Sequence, residues 1–297
     1  MNGGERPECF DPAAVRETVN RWIVTEVGRC GVEITDALAG FRFNEAAGAA
    51  YRFVWNTYCD WYLEFAKPIF SEGSEEAKAE TRATAAWVLD ETLKLLHPFM
   101  PFMTEELWAK TVEGTGKGRE KLLTHTRWPV SAGGDVDAAA EINWVVDLIS
   151  SIRSVRAEMN VPAGAKVPLV VTGAGAVTAQ RLKTHEAQIL RLARAESISL
   201  SDEAPRGSVQ LVAGEATVCL PLAGIIDLGA EAARLAKEET KLDQEIARID
   251  KKLGNEAFLA KAPEEIVASE QEKRAEFVER RERVLEARKR LADLSDA

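Results

Sequence analysis

The sequence predicts a mainly α-helical chain: an antiparallel helical bundle, a small α+β connecting module and a C-terminal antiparallel coiled-coil hairpin. Three observations predict it. Apolar residues recur three and four apart through roughly the first 130 residues. Short β-rich runs bounded by turn residues are confined to about 165–222. From about residue 229 aromatics almost disappear and a seven-residue apolar repeat begins. The implied domains are 1–130, 131–225 and 226–297, and a chain of 297 residues is long enough for two or three such modules.

Asp11 is a plausible N-cap with Pro12 at the first helical position, opening a helix through Val15, Val19, Ile23, Val27 and Cys30. A second helix covers about 44–65, with Ala47, Tyr51, Val54, Tyr58, Trp61 and Phe65 on one face. A third, about 75–96, ends before His97-Pro98, because the residue preceding proline is pushed out of helical geometry. Thr104 is expected to cap a fourth, whose first turn carries Glu105 and Glu106 at the positive end of the helix dipole. After a Gly-rich break near 129–140 comes a helix at 136–159, a strand at 165–171, a helical stretch near 178–193 and further short strands. Gly214-Glu215 marks a hairpin turn between the last two. Leu235, Leu242, Ile246, Ile249 and Leu253 then form a heptad seam. Gly254, Asn255 and Pro263 break it, and a second arm runs to about 294, so the two arms fold back as a finger on the order of 38 Å long at ~1.5 Å per residue.

Composition narrows the function. A net charge of -10 argues against nonspecific nucleic-acid binding, which relies on a basic surplus, so any such role is local. Cys9, Cys30, Cys59 and Cys219 are scattered without a C-x-x-C pair, and His97, His125 and His185 fall in no metal-binding or catalytic pattern. No phosphate loop, dinucleotide fingerprint or nucleophile elbow is present. No apolar run is long enough to span a bilayer, and the first residues, MNGGERPECF, do not resemble a secretory leader; a cytoplasmic protein without membrane association is expected.

Two regions could recognise a partner. On the 44–65 helix a line of Phe53, Asn56, Asp60 and Leu63 alternates flat or apolar groups with hydrogen-bonding ones, a pattern suited to splayed RNA bases. Packing offers the alternative, with Asn56 and Asp60 tying the helix to its neighbours. In the finger, eight Lys or Arg against four Glu lie between Lys273 and Arg290. In an antiparallel hairpin Arg248, Lys251 and Lys252 approach Lys273 and Arg274, which favours an anionic partner over an ordinary solvated face.

Five stretches, FRFNEAAGAAYRFVWNTYCDWYLEFAKP, LLHPFMPFMTEELW, IRSVRAEMNVP, PLAGIIDLGAEAARL and KKLGNEAFLAKAPEEIV, resemble in order the C-terminal part of bacterial valyl-tRNA synthetases, class I aminoacyl-tRNA synthetases. The resemblance implies an anticodon-binding bundle of the class I type, N-terminally truncated, and an arm reaching the tRNA elbow, with tRNA(Val) as partner and a monomeric chain. It implies that the catalytic domain with its H-I-G-H and K-M-S-K-S signatures, its ATP and magnesium, and the editing domain lie upstream. No catalysis and no cofactor is expected of this portion itself. Leu63 matches a family position that contacts an anticodon base, and Phe53, Asn56 and Asp60 extend that site along the helix. Arg248 and Lys273 match basic positions that meet the outermost tertiary base pair of the elbow, with Lys251, Lys252 and Arg274 beside them. The family can have Arg where this chain has Lys273, and lysine lacks the planar guanidinium that stacks on a base pair. A coiled-coil interaction or scaffold module without RNA binding is the alternative.

Overall fold

A computed structural model describes residues 10–113, 118–129, 133–222, 224–255 and 263–295. The chain forms two compact units, Met1–Val146 and Asp147–Ala297.

The first unit contains α1 (Thr18–Ala39), α2 (Phe43–Arg52), a π-helical stretch (Phe53–Tyr62), α3 (Leu63–Glu72), α4 (Glu75–Leu96) and α5 (Pro101–Lys110), and α6 (Val136–Glu158) begins in it. Its core gathers Trp22, Ile23 and Ile34 from α1, Tyr62 and Phe65 from the second rod, and Val88 and Leu95 from α4. Asn20 of α1 meets both Tyr62 and Thr81, at 3.2 and 3.1 Å.

The first helix starts later than expected. Asp11 Oδ1 does accept the Ala13 N–H, but the Pro12–Ala14 turn is a single 3-10 turn and Val15 is extended. The chain turns helical only at Thr18, because the Glu80 carboxylate of α4 accepts the N–H groups of Arg16 and Glu17 at 3.0 and 2.9 Å and the Asn20 side-chain amide at 2.9 Å. A distant residue thus satisfies donors that a helix start leaves open. Ser74 caps α4 through Ala77 as a sequence N-cap should. Thr104 caps nothing. It lies inside α5, which begins at Pro101, and its hydroxyl donates to the Met100 carbonyl and lies 2.8 Å from His97 Nδ1. Glu105, rather than facing a helix dipole, accepts the N–H groups of Leu123 and Thr124 and pins that segment.

The second rod decides the candidate site. α2, the π stretch and α3 follow one another without leaving helical backbone angles, and the rod continues through Pro68 to Glu72 rather than stopping near 65. Buried positions run Ala46, Ala49/Ala50 and Phe53, then step by five to Tyr58, then Trp61/Tyr62 and Phe65/Ala66. A π turn closes its hydrogen bonds from i to i+5, so the inward face shifts against a uniform α-helix. The expected stripe is therefore right from Tyr58 onward and rotated before it: Ala47 and Tyr51 are exposed and Val54 is half-buried.

In the second unit a four-stranded sheet has the order β2-β1-β4-β3, with β1 (Val167–Thr172), β2 (Ala195–Ser201), β3 (Ser208–Ala213) and β4 (Ala216–Pro221). β1 and β2 are parallel, joined by α7 (Ala176–Thr184) and α8 (Glu186–Leu192), which the buried His185 separates where one helical stretch was expected. β4 pairs antiparallel with both β1 and β3, and the β3–β4 turn passes through Gly214 at φ +66°, a conformation glycine adopts without penalty. The C-terminal hairpin consists of α9 (Leu228–Leu253) and α10 (Glu264–Ser295). Leu235, Leu242 and Ile249 are buried seven residues apart, and Val284, Ala287 and Leu291 are buried on α10. Gly254 ends α9, its N–H returning to the Asp250 carbonyl; residues 256–262 of the expected breaker lie outside the described residues.

Candidate nucleic-acid interface

On the outer side of the second rod Asn56 and Asp60 are exposed and Leu63 is half-buried, so these three share an accessible helix side. Among the described residues, neither the Asn56 amide nor the Asp60 carboxylate has a hydrogen-bonded protein partner, which removes the tie to neighbouring helices as their role. Phe53 does not belong with them. It is only 5% exposed, turned inward with Ala49 and Ala50 because it lies at the start of the π stretch, where the face shifts. Trp55 and Tyr51 are accessible rings nearby, 54% and 62% exposed, with centroids 6.4 Å apart in a tilted pair. A single 3.6-residue period puts Tyr51 in the core and does not single out Trp55, since nothing local announces a turn of five. Beside them Arg52 pairs with Glu33 at 2.5 Å and Lys67 with Glu64, so the nearby cations are already neutralised. Cys59, next to Asp60, has its thiol pushed up by burial and by the Asp60 carboxylate, the opposite of what activates a cysteine.

The finger brings the expected cations to one end, though not as a free cluster. Arg274 of α10 meets Asp250 of α9 at 2.5 Å, and Glu270 bridges Lys252 at 3.0 Å and Lys273 at 3.6 Å. Lys251 and Lys252 lie one helical turn beyond Arg248 on α9. Arg248 pairs with Glu245 of its own helix at 2.7 Å and remains 75% exposed at the side chain. Lys251 has no ion pair among the described residues. Further along, Arg281 pairs with Asp243, Arg280 with Glu238 and Arg288 with Glu239, all across the hairpin. The basic surplus counted on α10 is thus largely answered by carboxylates of α9, pairs that one helix's sequence does not display.

At the base of the finger, Glu231 is buried against Arg234 and accepts from the Asn160 side chain, and Arg290 pairs with Glu158. The sheet side of this junction is held by Arg156, a buried guanidinium that donates to the Ala165 carbonyl at 2.7 Å; burial and the neighbouring Arg194 pull its pKa down. Among the described residues no group of three or more His, Cys, Asp or Glu is placed to hold a metal ion, and no helix is long and apolar enough to cross a membrane.

The family described as "Anticodon-binding domain of tRNA ligase" matches residues 20–171, which contain the rod. "Valyl tRNA synthetase tRNA binding arm" matches residues 227–292, the α9–α10 finger. The chain belongs to the valyl-tRNA synthetase family. Among similar proteins, the Valine--tRNA ligase of Mesorhizobium japonicum is 57% identical over 293 residues, covering 99% of this chain and 32% of that protein. That of Brucella suis is 56% identical over 295 residues, again 99% of this chain and 32% of the relative. That of Caulobacter vibrioides is 49% identical over 296 residues, 99% and 33%. The chain spans about a third of the length of these valine–tRNA ligases and corresponds to their C-terminal part. It carries the tRNA-recognition domains of the valyl-tRNA synthetase family.

Proposed function

We propose that this chain holds tRNA(Val) at two surfaces, the anticodon loop against the outer side of the α2–α3 rod and the tRNA elbow against the α9–α10 finger, for a ligase that attaches valine in an ATP-dependent reaction. On this reading it works in three parts, 1–130 for the anticodon, 131–225 as connector and 226–297 as the arm. It is monomeric and cytoplasmic, and ATP and magnesium are handled by the part of the ligase outside this chain. The observation that carries the reading is a coincidence of position. The two family matches fall on the two stretches where accessible, chemically suited side chains occur. Leu63 supplies apolar contact to an anticodon base, while Asn56 and Asp60 offer hydrogen bonds to base edges. Arg248 and Lys273 meet the elbow, with Lys251, Lys252 and Arg274 adding positive charge.

Two weak contacts on one RNA reinforce each other, since after the first forms the second is intramolecular. Recognition of this kind speeds transfer by holding the acceptor end in place rather than by bond chemistry. The test is a titration of the chain with tRNA(Val) and with a tRNA of another identity, at two salt concentrations. Tighter binding of tRNA(Val) is expected, with Leu63→Ala narrowing the gap between the two. Arg248→Ala with Lys273→Ala should weaken both alike. Absence of binding at low salt together with a concentration-dependent dimer would establish the scaffold reading instead.

A further inference from the structure

We infer that Trp55, supported by Tyr51, is the stacking platform for an unpaired base of the anticodon loop, a role that rests on the anticodon reading and adds to it the residue that grips the base. Trp55 is 54% exposed although it sits in a rod whose other tryptophan, Trp61, is buried. Half-exposing a large ring forfeits burial of apolar surface, each Å² of which contributes about 25 cal/mol when removed from water. Tyr51, one turn earlier, sets its ring 6.4 Å from that of Trp55, which limits the orientations the indole can take. One hydrogen-bonded π turn further on lies Asp60, with Asn56 adjacent to Trp55 in sequence and Leu63 beyond. A ring, two hydrogen-bonding side chains and an apolar contact therefore follow one another along one accessible side.

The charge around this side says which part of an RNA it can hold. Arg52 and Lys67 are engaged by Glu33 and Glu64, and Asp60 is itself a carboxylate, so among the described residues this side offers phosphates little unpaired positive charge. The flat faces of bases carry no such penalty and stack on aromatic side chains irrespective of sequence. Amino groups of bases can in addition donate to the Asp60 carboxylate. Valine codons begin with G and U, so the anticodon bases facing them are C and A, and each bears an exocyclic amino group of the kind a carboxylate accepts from.

The test uses the full chain and a synthetic anticodon stem-loop of tRNA(Val), intact or with an abasic residue at each anticodon position in turn. Base-on-ring stacking lost to alanine corresponds to about fivefold to 150-fold weaker binding. We expect Trp55→Ala to weaken the intact stem-loop by that much, and Trp55→Phe to retain most of the affinity. We also expect the alanine effect to vanish with the RNA that lacks the stacked base. Circular dichroism confirms that the variants keep wild-type helicity, as a substitution at an exposed site should. Equal binding of the intact stem-loop by wild type and Trp55→Ala, or the same loss on every abasic RNA, overturns the stacking role and leaves the anticodon reading standing. Failure of the wild-type chain to bind the stem-loop overturns both.

Discussion

Glu80 is half-buried and sits far from the first helix in sequence, yet its two oxygens take two backbone N–H groups and the Asn20 amide within 3.0 Å. Hydrogen bonds to a charged acceptor are worth more than neutral ones, and truncating the acceptor strands the donors. Glu80→Ala is therefore expected to destabilise the first unit by about 2 kcal/mol, and Glu80→Gln by less, because the amide oxygen still accepts. Urea unfolding followed by helical circular dichroism checks this; an alanine variant as stable as wild type would mean solvent replaces those contacts. The same residue explains a misread start. Asp11-Pro12 is a sound local helix signal, and the structure makes a 3-10 turn of it because Glu80 supplies stronger capping six residues on. Leu63, Asn56 and Asp60 were legible as a surface line; Phe53 and Trp55 were not, since which of two neighbouring rings faces outward depends on one turn of backbone winding.

Among the elements, the finger separates two kinds of stabilisation. Leu242 is buried in the seam, and Leu242→Ala should cost about 2 to 4 kcal/mol through lost burial and the cavity left behind. Arg281→Ala removes an exposed pair with Asp243 and should cost no more than about 1 kcal/mol. Thermal unfolding of the two variants gives the contrast, and equal losses would contradict it. The cross-hairpin carboxylates also make the finger acid-sensitive. The Glu238 carboxyl is held below its ordinary value of 4.5, first by its hydrogen bond from Arg280 and then by the charges of Arg280 and Arg234. A carboxyl with a lower pKa folded than unfolded stabilises the fold above the unfolded value, and that contribution disappears as pH falls through the depressed one. Helical signal from the finger should accordingly decline below about pH 4.5, and Arg280→Ala should move this decline to higher pH. An acid profile unchanged by Arg280→Ala would rule out Glu238 as a contributor. The seam itself was readable, because a heptad repeat reports directly on which residues face a partner helix; the pairing of its charges was not, because it depends on the register between arms.

At the scale of the molecule, the charge of -10 would set the character of the tRNA binding proposed above. The arginines of α10 are engaged, and near the far end of the finger Lys251, without an ion pair among the described residues, joins the exposed Arg248 and Lys273, each held by a single carboxylate of its own helix, as the groups proposed to displace counterions. About three phosphate contacts imply a fall of affinity with salt of slope about -2 to -3 on a log–log plot, shallower than for a basic nucleic-acid binder. Lys251→Ala should reduce that slope by about one while leaving preference among tRNAs unchanged, which titrations across salt concentrations would show. A steep slope that Lys251→Ala does not alter would place the main phosphate contacts elsewhere.

By itself the amino-acid sequence determined the order of the main helices and strands, the sheet hairpin at Gly214, the two-armed finger and the family motifs that run along the chain. Those are properties of spacing and of local backbone preference, visible within a few turns. Tertiary structure alone decided where α1 begins, which ring of the second rod faces solvent, and how far the cations of α10 are neutralised. Each of these depends on a partner group brought close only by folding, or on a shift of one residue in helical winding that a uniform period cannot reveal.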